Sequence, residues 1–309
     1  MILCLTPNPA LDVTYTFDHL RPGESHRVPA PVSRAGGKGV NVARVCHAQG
    51  YPTRALITSG GATGKIFDAD LRESGIPHRA IAISGATRQS ITLVTDGGEA
   101  TVLNEFGEEL TPAEREALVG AFASETTSAS VAAISGSLPP NSPDGFLTEL
   151  IDAAGDAPTI VDTSGPGLLE AARAGADVLK PNDIELREAT GEESITGGAQ
   201  VLLDLGARIV FVSLGERGLL AATGELMLHA RLPRVLQGNP TGAGDAVVAG
   251  LATAIHEAGG LEQLDLQHAL RRAVGWSAAA VLMPQAGEIS PEHEQFTSDV
   301  NINEGLQWP

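Results

Sequence analysis

Short apolar runs recur along the chain, and segments with helical periodicity fill the intervals between them. Residues 1–6 are apolar and are followed at once by prolines. Runs of this length predict buried strands, and strands that alternate with helices form βαβ units in a mostly parallel sheet. Further strands are predicted in this way at 54–58, Val131–Ser135, Thr159–Asp162, 178–180 and Ile209–Ser213.

Helix starts and stops complete the alternation. Residues 38–49 place Val42, Val45 and Cys46 on one face and end at Gly50, a residue typical of helix C-termini. A second helix is predicted at 66–74. Thr111 followed by a proline predicts the cap and first position of a third.

Two segments interrupt the alternation with polar–apolar strands that have one solvated face. Residues 12–17 form such a strand, and 26–28 are predicted to return beside it. Residues 89–95 and Ala100–Asn104 predict a hairpin with its turn at 96–99. We therefore expect one domain over 1–309 that carries a small β lid, built from insertions at about 12–33 and 87–106. Residues 290–309 are weakly patterned, which predicts partial disorder.

Composition narrows the class of protein. Aromatic residues are scarce at 4% and glycines number 36, which suits close packing of helices on a sheet. The net charge of −18 argues against a non-specific nucleic-acid binder. Cys4 and Cys46 lie in apolar segments, so we expect reduced core thiols and a cytoplasmic protein. The sequence shows neither a signal peptide nor an apolar run that would predict a membrane partner.

The strongest chemical signal is Gly242-Ala243-Gly244-Asp245, at the start of an apolar helix. The first amides of a helix lack intrahelical acceptors, and glycine lets an anion approach them closely. A carboxylate beside such an anion hole could accept the proton of a substrate hydroxyl during phosphoryl transfer. The alternative interpretation is an ordinary core helix with glycines in the turn that enters it.

A second glycine-rich stretch, 35–41, also opens a helix. Gly37, Lys38 and Asn41 offer an amide donor, a cation and a side-chain amide that suit a sugar phosphate. The spacing is not that of a P-loop. The alternative is a glycine turn beside a surface lysine.

Other candidates lie near strand ends or at the base of the lid. Asp12 could accept hydrogen bonds from sugar hydroxyls, Arg88 supplies a cation at the hinge, and Ser137 supplies a hydroxyl. The alternatives are a turn residue for Asp12, a solvated arginine for Arg88 and an ordinary turn for Ser137.

Residues 180–185 follow a predicted strand. Asn182 and Glu185 are three positions apart at a helix start, so they share a face and could serve a hydrated Mg²⁺ and the phosphates it bridges. The alternative is a helix start with an acid that favours its dipole. Residues 213–218 could form the wall of a nucleotide site. The histidines show no metal-ligand spacing.

Taken in order, these motifs resemble the ribokinase-like carbohydrate kinases. The resemblance covers residues 6–287 and is closest to the phosphosugar branch, the 1-phosphofructokinases and tagatose-6-phosphate kinases. It implies an α/β fold, a three-layer sandwich with a mostly parallel central sheet and a small β-sheet lid that often mediates homodimers.

The resemblance also implies roles for individual residues. It implies Asp245 as the base and Gly242, Ala243 and Gly244 as the anion hole. The phosphosugar would be held by Asp12, Gly37, Lys38, Asn41, Arg88 and Ser137. ATP would contact Lys180, Asn182, Ser213, Gly215 and Gly218, with Glu185 serving Mg²⁺ through water.

The expected reaction is therefore ATP-dependent phosphorylation of a phosphorylated ketohexose, fructose 1-phosphate to fructose 1,6-bisphosphate. Tagatose-6-phosphate kinase and 6-phosphofructokinase are alternatives, because Ser90 replaces an asparagine that is common among relatives. Thr241 and Ala246 also depart from the usual pattern. Two alternatives come from other classes of protein. One is a catalytically silent sugar-phosphate sensor, and the presence of Asp245 argues against it. The other is a Rossmann dehydrogenase, whose glycine motif is missing after the first strand.

Overall fold

Two separate sheets organise the protein. The computed structural model describes residues 1–97 and 100–304, and within them one sheet has ten strands and the other four. The strands are Ile2–Thr6 (β1), Ala10–Phe17 (β2), Val32–Gly36 (β3), Thr53–Ser59 (β4), His78–Ala82 (β5), Arg88–Thr95 (β6), Ala100–Asn104 (β7), Val131–Ser135 (β8), Thr159–Asp162 (β9), Val178–Leu179 (β10), Ile209–Ser213 (β11), Leu219–Ala222 (β12), Met227–Arg231 (β13) and Asn301–Glu304 (β14). The α-helices are Lys38–Ala48 (α1), Gly61–Glu73 (α2), Pro112–Thr126 (α3), Phe146–Asp152 (α4), Pro166–Arg173 (α5), Asp183–Thr190 (α6), Ile195–Leu205 (α7), Ala243–Ala258 (α8), Leu266–Val281 (α9) and His293–Asp299 (α10).

The larger sheet has the strand order β14-β13-β12-β11-β10-β9-β8-β1-β4-β5. From β11 to β5 all neighbours are parallel, as predicted, and β12, β13 and β14 are added in antiparallel pairs. The chain extends from β1 in both directions, so the order reverses between β1 and β8. Ligands of open α/β sheets bind at such a switch point, beyond the carboxyl ends of the strands.

Side chains of β1 divide the core into two layers. Ile2 and Cys4 point to one face and pack with residues of α1, α2, α8 and α9. Leu3 and Leu5 point to the other face and pack with residues of α3, α4, α5 and α7. This alternation produces a helix–sheet–helix arrangement and confirms the predicted three-layer α/β fold. Both cysteines are buried and free.

The smaller sheet has the order β3-β2-β6-β7 and contains the predicted lid strands. The returning strand predicted at 26–28 is wrong, since β3 is Val32–Gly36. Pairing explains the shift: Ala10 lies opposite Gly36, which carries β3 directly into the glycine turn before α1. The first of the two segments that form this sheet therefore begins before residue 12 and ends after residue 33.

The C-terminal part of the chain is more regular than its sequence predicts. Residues 293–299 form α10, which buries Phe296, and β14 pairs with β13. The expected partial disorder is therefore wrong for these residues, because pairing with β13 supplies regularity that the polar sequence of β14 does not indicate. Residues 305–309, and Gly98 and Glu99 of the predicted turn, lie outside the described residues.

Helix α2 begins at Gly61, five residues before its predicted start. The sequence does not indicate this first turn because glycine is a poor helix former. In the part of the chain that the structure describes, no helix is both long and apolar enough to cross a membrane.

Candidate active site

The mouth of α8 lies at the centre of the site. Gly242 is the N-cap with φ 86°, and a Cβ there would come within 2.8 Å of Cα of Ala286, so both backbone geometry and space require glycine. Ala243 already donates its amide to the carbonyl of Pro240 over 3.2 Å. The amides of Gly242 and Gly244 are therefore the members of the predicted anion hole that are best placed to meet an anion.

Asp245 is in the first turn of α8 and is only 7% exposed. Its Oδ2 accepts a 2.8 Å hydrogen bond from Nδ2 of Asn41 in α1. Burial and the nearby charge of Asp162 raise the pKa of Asp245 to about 7, against lowering by Asn41, Lys38 and Lys180. A carboxylate with a pKa near neutrality can both accept and release a proton at physiological pH.

Asp162, at the end of β9, joins two lysines. Its Oδ1 lies 3.1 Å from Nζ of Lys38 and 3.4 Å from Nζ of Lys180, and the carboxylate is almost fully buried. Burial lowers the pKa of Lys38, but the charges of Asp162, Glu185 and Asp245 outweigh it and raise the pKa overall. The ammonium of Lys38 is thus held charged, and Lys180 contacts the same carboxylate oxygen of Asp162. Sequence reasoning missed Asp162, although its place at a strand end was a usable signal.

Oxygens at the ends of three neighbouring strands mark the floor of this region. Thr6 Oγ1, Ser135 Oγ and Asp162 Oδ2 are buried and, among the residues described, find no hydrogen-bond partner. They end β1, β8 and β9, which adjoin in the sheet. Buried polar atoms are normally satisfied, so unsatisfied ones beside a cleft are expected to meet water or ligand.

The turn before α1 brings Asp12 to the site. Gly37 has φ 103°, and a Cβ at position 36 would lie 2.0 Å from Oδ2 of Asp12, so that carboxylate packs directly on the glycine turn. Burial raises the pKa of Asp12 to about 6, while the charges of Arg88, Arg34 and Arg44 lower it. Asp12 thus lies against the glycine turn that leads into α1.

Arg88 and Ser137 meet through Asn8. Arg88 donates from Nε to the carbonyl of Asn8 over 3.2 Å and from Nη1 to the carbonyl of Glu105 over 3.1 Å. Nδ2 of Asn8 donates to Oγ of Ser137 over 3.2 Å. The base of the smaller sheet is thereby tied to the loop after β8, with a predicted substrate residue on each side.

Asn182 and Glu185 form a capping box at the start of α6. Asn182 Oδ1 accepts from the amides of Ile184 and Glu185, and Glu185 Oε2 accepts from the amide of Asn182 over 2.8 Å. The other carboxylate oxygen, Oε1, lies 3.8 Å from Nζ of Lys38. The two residues share a face as predicted, and the contact to Lys38 joins them to the Asp162 cluster.

The last predicted residues lie at the end of β11 and just after it. Ser213 is bridged in parallel to Asn182, so the two lie side by side. Gly215 and Gly218 bound the short 3₁₀ turn that follows, and a Cβ on Gly218 would lie 2.1 Å from the carbonyl oxygen of Ala230. Gly218 therefore has a packing reason of its own, whereas Gly215 is favoured by its backbone angle, φ 59°. Among the residues covered, no contact joins either of them to Asp245.

Comparison with known proteins agrees with this geometry. The model of the pfkB family carbohydrate kinases matches residues 7–293, and the chain belongs to that family. An ATP-dependent 6-phosphofructokinase isozyme 2 of Mycobacterium tuberculosis is 36% identical over 82% of this chain and 77% of the relative. A 1-phosphofructokinase of Xanthomonas campestris is 34% identical over 94% of both chains.

Solved structures give the same result. Phosphofructokinase-2 of Escherichia coli, in a tetrameric inhibited form, matches with a TM-score of 0.88 at 30% identity, over 96% of this chain and 98% of that one. Its complex with fructose-6-phosphate matches with a TM-score of 0.86 at 29% identity, with the same coverage. The protein is thus a phosphofructokinase-type sugar kinase, which transfers a phosphoryl group to a hydroxyl acceptor.

Proposed function

We propose that the protein transfers the terminal phosphoryl group of ATP to the C6 hydroxyl of fructose 1-phosphate. The observation that carries this proposal is the buried Asp245 at the mouth of α8, with Lys38 and Lys180 held beside it by Asp162. A base, an anion hole and two cations are the groups that phosphoryl transfer requires. The full-length similarity to a 1-phosphofructokinase supports the choice of acceptor.

Asp245 takes the proton of the acceptor hydroxyl. Its raised pKa makes it a better base than an exposed carboxylate, and Asn41 fixes one of its oxygens. The amides of Gly242, Ala243 and Gly244 face the transferring group, where Ala243 exchanges its bond to Pro240 for one to the phosphoryl oxygens. These donors are strongest where charge develops in the transition state.

ATP binds along the carboxyl ends of β10 and β11. Lys180 meets its phosphates, and Asn182, Ser213, Gly215 and Gly218 contact the nucleotide. Mg²⁺ is expected with ATP, and the donor set fits it: Glu185 keeps one carboxylate oxygen outside its capping bond, and hydrated Mg²⁺ uses one or two carboxylates plus substrate phosphates. Bound there, the ion would neutralise charge on the phosphates.

The phosphosugar lies between the smaller sheet and α1. Arg88 and Lys38 supply positive charge for its phosphate, while Asp12, Asn41, Ser137 and the amide of Gly37 meet its hydroxyls. A charge-assisted contact contributes about 1.5–3 kcal/mol, so two independent contacts would favour a phosphosugar over the free sugar by roughly 10²–10⁴-fold in kcat/KM.

Fructose 6-phosphate is the second candidate acceptor, because a 6-phosphofructokinase isozyme is 36% identical to this chain. Both acceptors give fructose 1,6-bisphosphate, so the product does not distinguish them. A coupled assay of ADP release with fructose 1-phosphate, fructose 6-phosphate, tagatose 6-phosphate and fructose decides the matter. We expect the highest kcat/KM for fructose 1-phosphate; a higher value for fructose 6-phosphate selects the second candidate, and equal use of fructose overturns the substrate class.

We also propose a homodimer that forms through the smaller sheet. Large apolar side chains of this region are between 50% and 88% exposed. Val32 and Val102 lie on one face of the sheet, Leu103 lies on the other, and Phe106 follows β7. Sedimentation of the wild type and of Val102→Asp tests this, with a dimer expected for the first and a monomer for the second. A wild-type monomer would contradict it.

A further inference from the structure

A continuous polar row crosses all four strands of the smaller sheet. Pairing places Arg34 of β3 opposite Asp12 of β2, Asp12 opposite Ser90 of β6, and Ser90 opposite Asn104 of β7. Residues that pair directly in a sheet project from the same face. Arg88 lies two positions before Ser90 on the same strand, so it projects from this face too.

The opposite face of the sheet has another role. Leu11 and Val13 alternate with Asp12, are buried, and belong to the core cluster that contains residues of α2. The polar row therefore belongs to the face directed away from this core, and Asp12 at its centre packs against the glycine turn of the site.

Arg34 connects one end of the row to the anion hole. Its Nη1 donates to Oε1 of Gln285 over 2.7 Å and to the carbonyl of Ala286 over 3.2 Å, and lies 3.0 Å from a carboxylate oxygen of Glu288. Ala286 is the residue that packs on Gly242. Arg34 is thus a cation between Asp12 and the mouth of α8. All three of these contacts are made by Nη1, so the other N–H groups of the guanidinium can reach a ligand.

Ser90 and Asn104 form the other end of the row. The hydroxyl of Ser90 donates to Oδ1 of Asn104 over 2.8 Å. This bond fixes the orientation of the Asn104 amide and leaves Nδ2 as the group that can donate outward. The pair therefore offers an amide donor, Nδ2 of Asn104, beside Ser90, whose own side chain is a short hydroxyl.

We propose that this row is an acceptor-binding surface in which Arg34 and Asn104 contact the phosphosugar on either side of Asp12. Arg34 provides a third cation for the phosphate, and Asn104 donates to a hydroxyl through its Nδ2. The proposal rests on the phosphosugar kinase function proposed above. It adds two ligands on the outer strands that no motif in the sequence contains.

Steady-state kinetics of Arg34→Ala and Asn104→Ala test the proposal, with fructose 1-phosphate and fructose 6-phosphate as acceptors. We expect Arg34→Ala to raise KM for the preferred acceptor roughly 10–100-fold and Asn104→Ala about 2–10-fold, since a charged contact contributes more than a neutral one. KM for ATP should stay within about twofold in both variants. Arg34→Lys, which keeps the charge, should recover part of the loss.

Matched controls lie on the same outer strands. Ser33→Ala and Thr101→Ala change exposed polar residues that project from the other face of β3 and β7, and both should leave the KM for acceptor unchanged. Titration calorimetry with the acceptor alone should reproduce the losses without turnover. Thermal melting shows whether each variant is folded.

The outcomes separate the two proposals. If the wild type uses none of the fructose phosphates, the proposed function fails and this inference fails with it. If the wild type uses them and both alanine variants keep the acceptor KM, only the polar row is wrong. A fall in kcat with unchanged acceptor KM in Arg34→Ala would show that Arg34 only positions the loop at 285–288, and would also overturn its role as a ligand.

Discussion

Asn41 donates its side-chain amide to Oδ2 of Asp245 over 2.8 Å, although the two residues are 204 positions apart in the chain. The bond joins the helix after the glycine turn to the helix of the anion hole. It stabilises the charged form of the carboxylate and so opposes the effect of burial on its pKa.

Replacing Asn41 should therefore shift the pH dependence of the reaction. The base must be deprotonated, so kcat/KM should fall as the pH falls through about 7, the value to which the pKa of Asp245 is raised. In Asn41→Ala the charged form loses its donor, so the pKa rises and the acid limb moves to higher pH. The position of the acid limb is measured from kcat/KM between pH 5.5 and 9, with the range extended at each end as stability allows. Gln49→Ala, just after the same helix, serves as control, and an unmoved acid limb would contradict the prediction.

Asp245→Asn should remove the base and keep the shape of the site. We expect kcat to fall about 10²–10⁴-fold while acceptor binding survives, because an amide of the same size accepts from Asn41 but takes no proton. Steady-state rates and calorimetry measure the two effects. Asp265→Asn is a matched control, because the Asp265 carboxylate caps α9 by accepting from amides of its own helix.

The same variant tests the cost of burying Asp245. A pKa raised from 3.8 to about 7 on folding means that the folded state binds the proton more tightly. The group's contribution to stability is thus complete below pH 4 and is lost as the pH rises through about 7. The melting temperature of Asp245→Asn minus that of the wild type should consequently be larger at pH 8 than at pH 5. If the difference in melting temperature between variant and wild type were the same at both pH values, the raised pKa would be refuted.

Glu185→Gln should raise the Mg²⁺ concentration needed for half-maximal rate. An amide can still accept the hydrogen bond from Asn182 in the capping box, so the helix start is retained, but it holds hydrated Mg²⁺ less well than a carboxylate. Asp183→Asn is the matched control, since it removes another acid from the same helix turn. An equal shift in both Mg²⁺ titrations would assign the effect to helix charge alone.

Arg88→Ala should raise KM for the phosphosugar far more than KM for ATP. Loss of one charge-assisted contact corresponds to roughly 10–100-fold in acceptor KM. Because Arg88 also bonds to the carbonyls of Asn8 and Glu105, melting curves must accompany the kinetics. Arg79→Ala, on β5 and paired with Glu125, controls for loss of a surface arginine. Equal changes in both KM values would mean that Arg88 supports the fold of the site without binding the acceptor.

Asp162→Ala should destabilise the protein by about 3–5 kcal/mol, because it leaves the ammonium of Lys180 buried without its partner. Urea denaturation at pH 7.5 measures the loss. Adding Lys180→Met to Asp162→Ala should restore part of the stability, since the uncompensated charge is then removed. If the double variant were no more stable than the single one, the ion pair would not explain the loss.

The sequence by itself determined which strand ends and helix starts carry the candidate residues. The period of apolar residues identifies the parallel strands, and the carboxyl ends of parallel strands meet at one edge of a sheet. Lys180 and Ser213 lie at such ends, and Lys38 and Asp245 lie at helix starts that face the same edge. Asp162 also ends a predicted strand, but a single acid at a strand end does not indicate which cations it will join.

Only the tertiary structure decided how these residues pair. The contacts of Asp162 with Lys38 and Lys180, and of Asn41 with Asp245, connect segments more than a hundred positions apart or on different elements. Cross-strand register places Arg34 opposite Asp12, and the predicted strand at 26–28 would have placed a different residue there. Strand β14 forms because β13 presents an edge to pair with. Local periodicity specifies the type and face of an element, whereas register and partner depend on which distant backbone and charged groups the folded chain brings together.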